Sequence, residues 1–204
     1  MSAPPDRLRL LGAFQLVCRD QPINLGQARL EELVASLAVH PGEQCTRTQL
    51  ACRFWPDSSE KQARTNVRNL LFKLKQAWPD HAAVLSIDRA GVTWHRDAAV
   101  DVDVHRFHEL VRQADAHQSP ADRAPTLAAA VACYQGDLLP DCYAEWALLE
   151  REELRTRYAA ALEGLIDALW ELRRYEDART WAKRLRNHDP LRESTYRRLM
   201  QIHA

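Results

Sequence analysis

No apolar run in this 204-residue chain approaches the ~20 residues that a membrane-spanning helix needs. The N-terminus, Met-Ser-Ala-Pro-Pro-Asp-Arg, has no signal-peptide core. A cytoplasmic protein without membrane contact is therefore expected. Glycine is scarce, six residues in all, and neither a Gly-x-x-x-x-Gly-Lys-Ser/Thr loop nor a Gly-x-Ser-x-Gly elbow occurs. Those absences exclude the common phosphate cradle and the exposed serine nucleophile of hydrolases. The five cysteines (Cys18, Cys45, Cys52, Cys133, Cys142) are odd in number and form no Cys-x-x-Cys pair. Buried reduced thiols are expected, not disulfides or a zinc site. Eight histidines include no His-x-x-x-His pair, and His105 and His108 have no third candidate ligand near them. No catalytic residue, metal or cofactor is expected, and an enzyme is the weakest reading. Nor is there an excess of one charge: 28 Lys/Arg balance 28 Asp/Glu, which argues against a protein that coats polyanions. Residues 1–100 carry 13 basic and 10 acidic side chains, residues 101–204 carry 15 and 18, a difference too small to assign roles. What remains is an ordinary globular composition, 46% hydrophobic and 27% charged, long enough for two domains.

Basic charge concentrates in one stretch, Ser58 to Trp78. Val67, Leu70, Leu71, Leu74 and Trp78 recur at helical spacing and define a buried stripe. Ser59 with Gln62 reads as a capping box. From Lys61 to Lys75 there are five basic residues and no acidic one. Arg64, Arg68, Asn69, Phe72 and Lys73 face away from the stripe. A DNA major groove accepts such a helix, with its basic, amide-bearing outer face. An ordinary surface helix with solvated lysines has the same pattern, so its neighbours must decide.

Leu8, Leu10, Phe14 and Leu16 occupy alternate positions, with a bend or bulge expected at Gly12, and Ile23–Leu25 can pair back after the turn Arg19-Asp20-Gln21-Pro22. Leu30, Leu33, Val34, Leu37 and Ala38 form one helical face that Pro41-Gly42 ends. Thr46 with Gln49 is a second capping box and opens a short helix containing Leu50, Phe54 and Trp55. Pro56-Asp57-Ser58 separates it from the basic helix, which Pro79-Asp80 stops. Leu85 and Ile87, the turn Asp88-Arg89-Ala90-Gly91, then Val92 and Trp94 predict a β-hairpin. Short helix, turn and basic helix followed by a hairpin is a helix-turn-helix with a wing. Arg89 at the wing tip is placed to meet a phosphate or a minor groove, or is an ordinary charged turn residue.

The order and spacing of these motifs resemble the OmpR-type winged helix, and more closely the N-terminal domain of the SARP family (Streptomyces antibiotic regulatory proteins). The carrying residues are Leu8-Arg-Leu-Leu-Gly12, Phe54-Trp-Pro-Asp57, Ala63-Arg-Thr-Asn66 and Leu71-Phe-Lys-Leu-Lys75, where the family has Ala-Arg-Asn and a Ser-Arg-Leu-Arg-like run. The wing departs from the family pattern of Arg, two residues and Gly-Tyr: Asp88 stands three before Gly91, Val92 replaces the aromatic, and the arginine has moved to Arg89. Phe72, on the presumed DNA face, either touches a thymine methyl or packs against the neighbouring domain.

In the second half Asp103 reads as an N-cap, with Phe107, Leu110 and Val111 on one face. The polar stretch His117–Arg123 separates this helix from one bearing Leu127, Ala130, Val131 and Tyr134. A long helix is predicted over Glu145–Trp170, with Trp146, Leu149, Leu154, Tyr158, Leu162, Leu165, Ile166 and Leu169 as its stripe. Trp146, Tyr158 and Trp181 are read as core residues. A turn at Arg173-Arg174 leads into a helix with Ala178, Trp181, Ala182 and Leu185, and Asp189-Pro190 opens a last helix through Leu199 to Ala204. This is the cadence of ~34-residue helical-hairpin repeats. Ending there leaves an apolar face uncapped, so either the natural protein continues or a partner covers it. Tyr134-Gln-Gly-Asp-Leu-Leu-Pro140, Tyr143-Ala-Glu-Trp146, Glu150-Arg-Glu-Glu-Leu154, Arg174-Tyr-Glu-Asp-Ala178 and Asp189-Pro-Leu-Arg-Glu193 resemble the bacterial transcriptional activator domain that follows the winged helix in SARP-type regulators.

The predicted fold is an α+β, OmpR-like winged helix-turn-helix over residues 1–97 and an all-α, TPR-like helical-hairpin domain over 98–204. The predicted function is sequence-specific DNA binding by a transcriptional activator. Arg64, Lys73, Lys75, Thr46, Arg47 and Lys61 neutralise phosphates, Arg68 and Asn69 read bases, and Thr65, Phe72 and Arg89 complete the contact set. The resemblance implies double-stranded DNA with direct repeats near a promoter, a homodimer on that DNA, and contact with RNA polymerase. The alternative is a TPR-like adaptor whose winged helix docks protein and does not bind DNA.

Overall fold

The computed structural model describes residues 6–189 and divides into two compact units, Met1–Val102 and Asp103–Ala204. The helix anticipated from Pro190 to Ala204 lies outside the described residues.

In the first unit β1 (Asp6–Arg9), β2 (Gln15–Cys18) and β3 (Gln21–Ile23) form an antiparallel meander, and β7 (Val100–Val102) adds a parallel strand to the free side of β1. The sheet order is β3-β2-β1-β7, with Leu8 paired to Leu16 on one side and to Val102 on the other. Gly12, at φ 116°, makes the bend between β1 and β2 that its position suggested. Arg19 and Asp20 both take left-handed φ values between β2 and β3, and the Arg19 N–H donates to Asp6 Oδ1 at 2.8 Å. Helix α1 (Ala28–Ala38) buries Leu30, Leu33, Val34, Leu37 and Ala38, the face the sequence predicted.

The expected hairpin is part of a three-stranded sheet. β5 (Leu85–Ile87) and β6 (Gly91–Trp94) pair antiparallel, and β4 (Gln44–Thr46) pairs with the outer side of β6. β4 carries no alternation signal, because its three residues end in the cap of the next helix. That helix, α2 (Arg47–Phe54), begins at a complete capping box. The Gln49 N–H donates to Thr46 Oγ1 at 3.2 Å, and the Thr46 N–H donates to Gln49 Oε1 at 2.8 Å. α3 (Glu60–Ala77) has only half of one: the Gln62 N–H reaches Ser59 Oγ at 3.4 Å, while the Gln62 amide turns forward to Asn66. α3 buries Ala63, Val67, Leu70, Leu71 and Leu74, and its stripe ends on Trp78, whose ring lies 6.3 Å from that of Trp94. These two tryptophans, each 1% exposed, join the helix-turn-helix to the wing sheet.

The second unit packs α4 (Asp103–Ala116), α5 (Pro120–Cys133), α6 (Glu145–Glu171) and α7 (Tyr175–His188) so that each helix meets the next. Asp103 is the first residue of α4, buried, with its Oδ1 accepting from the Val104 N–H. The break before α5 is shorter than predicted, because Ser119 caps the helix and Pro120 sits at its first position, where a missing N–H costs nothing. Leu149 does not join the stripe of α6: it is 67% exposed, and the buried line runs instead through Ala147, Arg151, Leu154 and Tyr158. Arg151 takes an inward position because its guanidinium is satisfied, donating to the carbonyls of Leu138, Leu139 and Cys142 at 3.0, 2.7 and 2.8 Å. Tyr158 is buried and stacks on Tyr134 at 4.1 Å, whereas Trp146 and Trp181 are only half-buried. The turn after α6 is a Schellman motif, with Arg173 at φ 58° and the Arg174 N–H reaching the Leu169 carbonyl.

Candidate nucleic-acid interface

The local signals that start α2 and α3 bring their basic residues together. With Thr46 fixed as the N-cap, Arg47 and Thr48 fall in the first turn of α2. The buried stripe of α3 turns Arg64 and Arg68, one helical turn apart, toward that end of α2. The wing turn brings Arg89 to the same place. The result is an open cleft of about 420 Å³ lined by Arg47, Arg64, Arg68 and Arg89 with the threonines 46, 48 and 65 and Ala90, and by no carboxylate. Arg68 and Arg89 have no hydrogen-bond or ion-pair partner among the described residues. Arg64 pairs with Glu60 at 2.6 Å, but both are well exposed, and such a pair holds with at most about 1 kcal/mol. Arg47 is committed inward: its Nε and Nη2 donate to the Asp88 carbonyl at 3.2 and 2.7 Å.

The remaining anticipated residues lie along α3 outside this cleft. Lys61, Asn69, Phe72, Lys73 and Lys75 are all exposed, and Phe72 shows 60% of its surface. Lys73 Nζ lies 3.4 Å from Gln27 Oε1. Thr65 is half-buried and its hydroxyl donates to the Lys61 carbonyl. Thr48 was missed by sequence reasoning; its position two residues after the Thr46 cap was the available signal.

Cys18 is buried, and burial with the nearby Asp6 carboxylate pushes its thiol up to about 11. Burial also raises Cys45. Neither thiol supplies a thiolate near neutral pH. The expectation of buried thiols fails at Cys52, which is exposed on α2, while Cys45, Cys133 and Cys142 are half-buried. Among the described residues no three His, Cys, Asp or Glu side chains are grouped to hold a metal ion, and no helix is long and apolar enough to cross a membrane.

Residues 102–204 match the family model described as "Bacterial transcriptional activator domain". No curated protein matches the chain. Among solved structures, Mycobacterium tuberculosis EmbR, in complex with a low affinity phosphopeptide, is similar with a TM-score of 0.80 and 20% identity, covering 98% of this chain. This chain spans 54% of the EmbR chain, and at that identity the likeness is one of fold: a winged helix-turn-helix followed by an all-helical domain. The helical half carries the family match, and the chain accordingly belongs to the bacterial transcriptional activator domain family.

Proposed function

We propose that this activator binds duplex DNA in a sequence-specific way, with α3 in the major groove and the wing turn beside it. The observation that carries the reading is the convergence of four arginines from α2, α3 and the wing on one carboxylate-free cleft. Eighteen residues of α3 span about 27 Å, enough to cross a groove and leave its ends over both phosphate walls. Arg68, unpaired and central, reads guanine through N7 and O6, and Asn69 beside it reads adenine, each with about 1–3 kcal/mol of discrimination. Arg64, Lys61, Lys73, Lys75, Thr46, Thr48 and Thr65 meet the phosphate backbone, Arg89 meets it from the wing, and Phe72 offers an apolar contact. The unit 1–102 is then the DNA-binding domain. The helical unit contacts a second protomer or RNA polymerase on direct repeats near a promoter, as in SARP-type regulators, in the cytoplasm.

The test is a mobility-shift series with random duplex DNA at rising salt, followed by selection of bound sequences from a random pool. Log Kd should change with log salt at about 0.9 per phosphate neutralised. Arg68→Ala should flatten the preference for the selected sequence, whereas Lys73→Ala should weaken binding to all sequences alike. Full sequence preference in the Arg68→Ala protein refutes the assignment of the reader. Absence of any shift at micromolar protein and low salt instead supports the protein-docking adaptor.

A further inference from the structure

We propose that Asp88 and Arg47 form a positioning pair that holds the wing turn so that Arg89 meets the DNA backbone, an inference that rests on the DNA-binding reading above. No residue from Asp88 to Gly91 takes a left-handed φ, so the turn is not ordered by a special backbone conformation. Asp88 orders it instead. Its Oδ1 accepts from the N–H groups of Ala90 and Gly91 at 2.8 and 2.9 Å, and its own N–H donates to the Gly91 carbonyl at 3.0 Å. Arg47 then fastens this turn to the start of α2 twice. Its guanidinium holds the Asp88 carbonyl, and its main-chain N–H lies 3.4 Å from the Ala90 carbonyl. Gly91 permits the close approach: a Cβ there would stand 2.3 Å from the Cys45 carbonyl oxygen.

Arg89 lies between these anchors, exposed and unpaired, with its turn fixed on both sides. Because the turn is already ordered, less conformational freedom is lost when Arg89 takes a phosphate. The inference gives Arg47 a different role from the phosphate contact expected of it: two of its five guanidinium N–H donors, on Nε and Nη2, are used inside the protein. It also gives Asp88 the opposite sign from simple electrostatics. A carboxylate beside a phosphate-binding arginine should weaken DNA binding by repulsion and by drawing the arginine away. Here it strengthens binding, because its acceptor oxygen shapes the turn.

The test uses the full chain and measures Kd against salt for random duplex DNA. Arg89→Ala should lower the salt slope by about 0.9. Asp88→Ala should weaken binding severalfold and lower the slope by the same amount, with no further loss in the Arg89→Ala background. Arg47→Ala should behave as Asp88→Ala does. Asp88→Asn keeps the acceptor oxygen, removes the charge, and should bind at least as tightly as the wild type. Thermal melting of each variant separates a lost contact from a lost fold. Wild-type or tighter binding by Asp88→Ala overturns the inference, as does a loss that adds to that of Arg89→Ala. If the wild type binds DNA but Arg89→Ala loses nothing, the wing inference alone fails. If the wild type does not bind random duplex, the DNA-binding reading fails with it.

Discussion

The sharpest single test of the proposed recognition face is Phe72. This ring stands on the outer side of α3, four residues beyond Arg68, with 60% of its surface in solvent. A phenylalanine side chain presents about 150–250 Å², so on the order of 100 Å² of its apolar surface faces solvent. In a major groove its complement is the C5-methyl of thymine. Burying one methylene-sized group is worth about 0.8 kcal/mol, or about fourfold in Kd. The perturbation is therefore made in the DNA: each thymine of a selected operator is replaced in turn by deoxyuridine, which removes the methyl and nothing else. Fluorescence anisotropy should show a loss of about fourfold at one or two positions, and Phe72→Ala should bind more weakly yet show no loss at those positions. Equal affinity of the wild type for every deoxyuridine probe refutes the reasoning, and so does a methyl effect that survives in Phe72→Ala.

Three further outcomes follow from the helical unit. Arg173 occupies a left-handed C-cap position that glycine takes without a Cβ penalty, so Arg173→Gly should raise stability by about 0.5–1 kcal/mol in urea unfolding. Burial, reinforced by the Arg157 charge, holds the His108 imidazole down to about 4. A base whose folded pKa is depressed contributes stability above its unfolded value, so the unit should lose stability as pH falls from about 6.5 toward 4; His108→Gln should flatten that dependence, and an unchanged profile counts against it. Arg151→Met removes the donors for three carbonyls, and about 3 kcal/mol of lost stability is expected; a change below about 1 kcal/mol would mean that water replaces the guanidinium without cost.

Periodicity made the helices readable. α1 and α3 carry several branched apolar residues at helical spacing, so burying one face fixes which residues point outward. The same logic explains why Arg64 and Arg68 could be placed on the outer face of α3, while their meeting with Arg89 in one cleft depends on the tertiary fold. What escaped were features set by distant partners. β4 and β7 are three-residue strands, Gln44–Thr46 and Val100–Val102, whose pairing to β6 and β1 is decided by tertiary packing and leaves no local pattern. Leu149 fits the helical period but lies outside the face that α5 and α7 cover, and Arg151 lies inside it because three loop carbonyls receive its protons. Arg47 reads as a phosphate contact in the sequence; the Asp88 carbonyl to which it also donates is 41 positions away and leaves no local signal.

The β1–β7 pairing has a consequence for how the protein is made. Arg9 and Asp101, 92 positions apart, are joined across these strands by an ion pair at 2.8 Å. During synthesis the chain emerges from its N-terminus, so β1, β2 and β3 are exposed long before β7 exists. Until then one side of β1 is an open strand edge, a template for pairing with another chain. The order of emergence thus leaves the first strand of the protein unprotected until nearly the whole winged unit has left the ribosome. A fragment meant to express that unit alone needs Val102 to close its sheet.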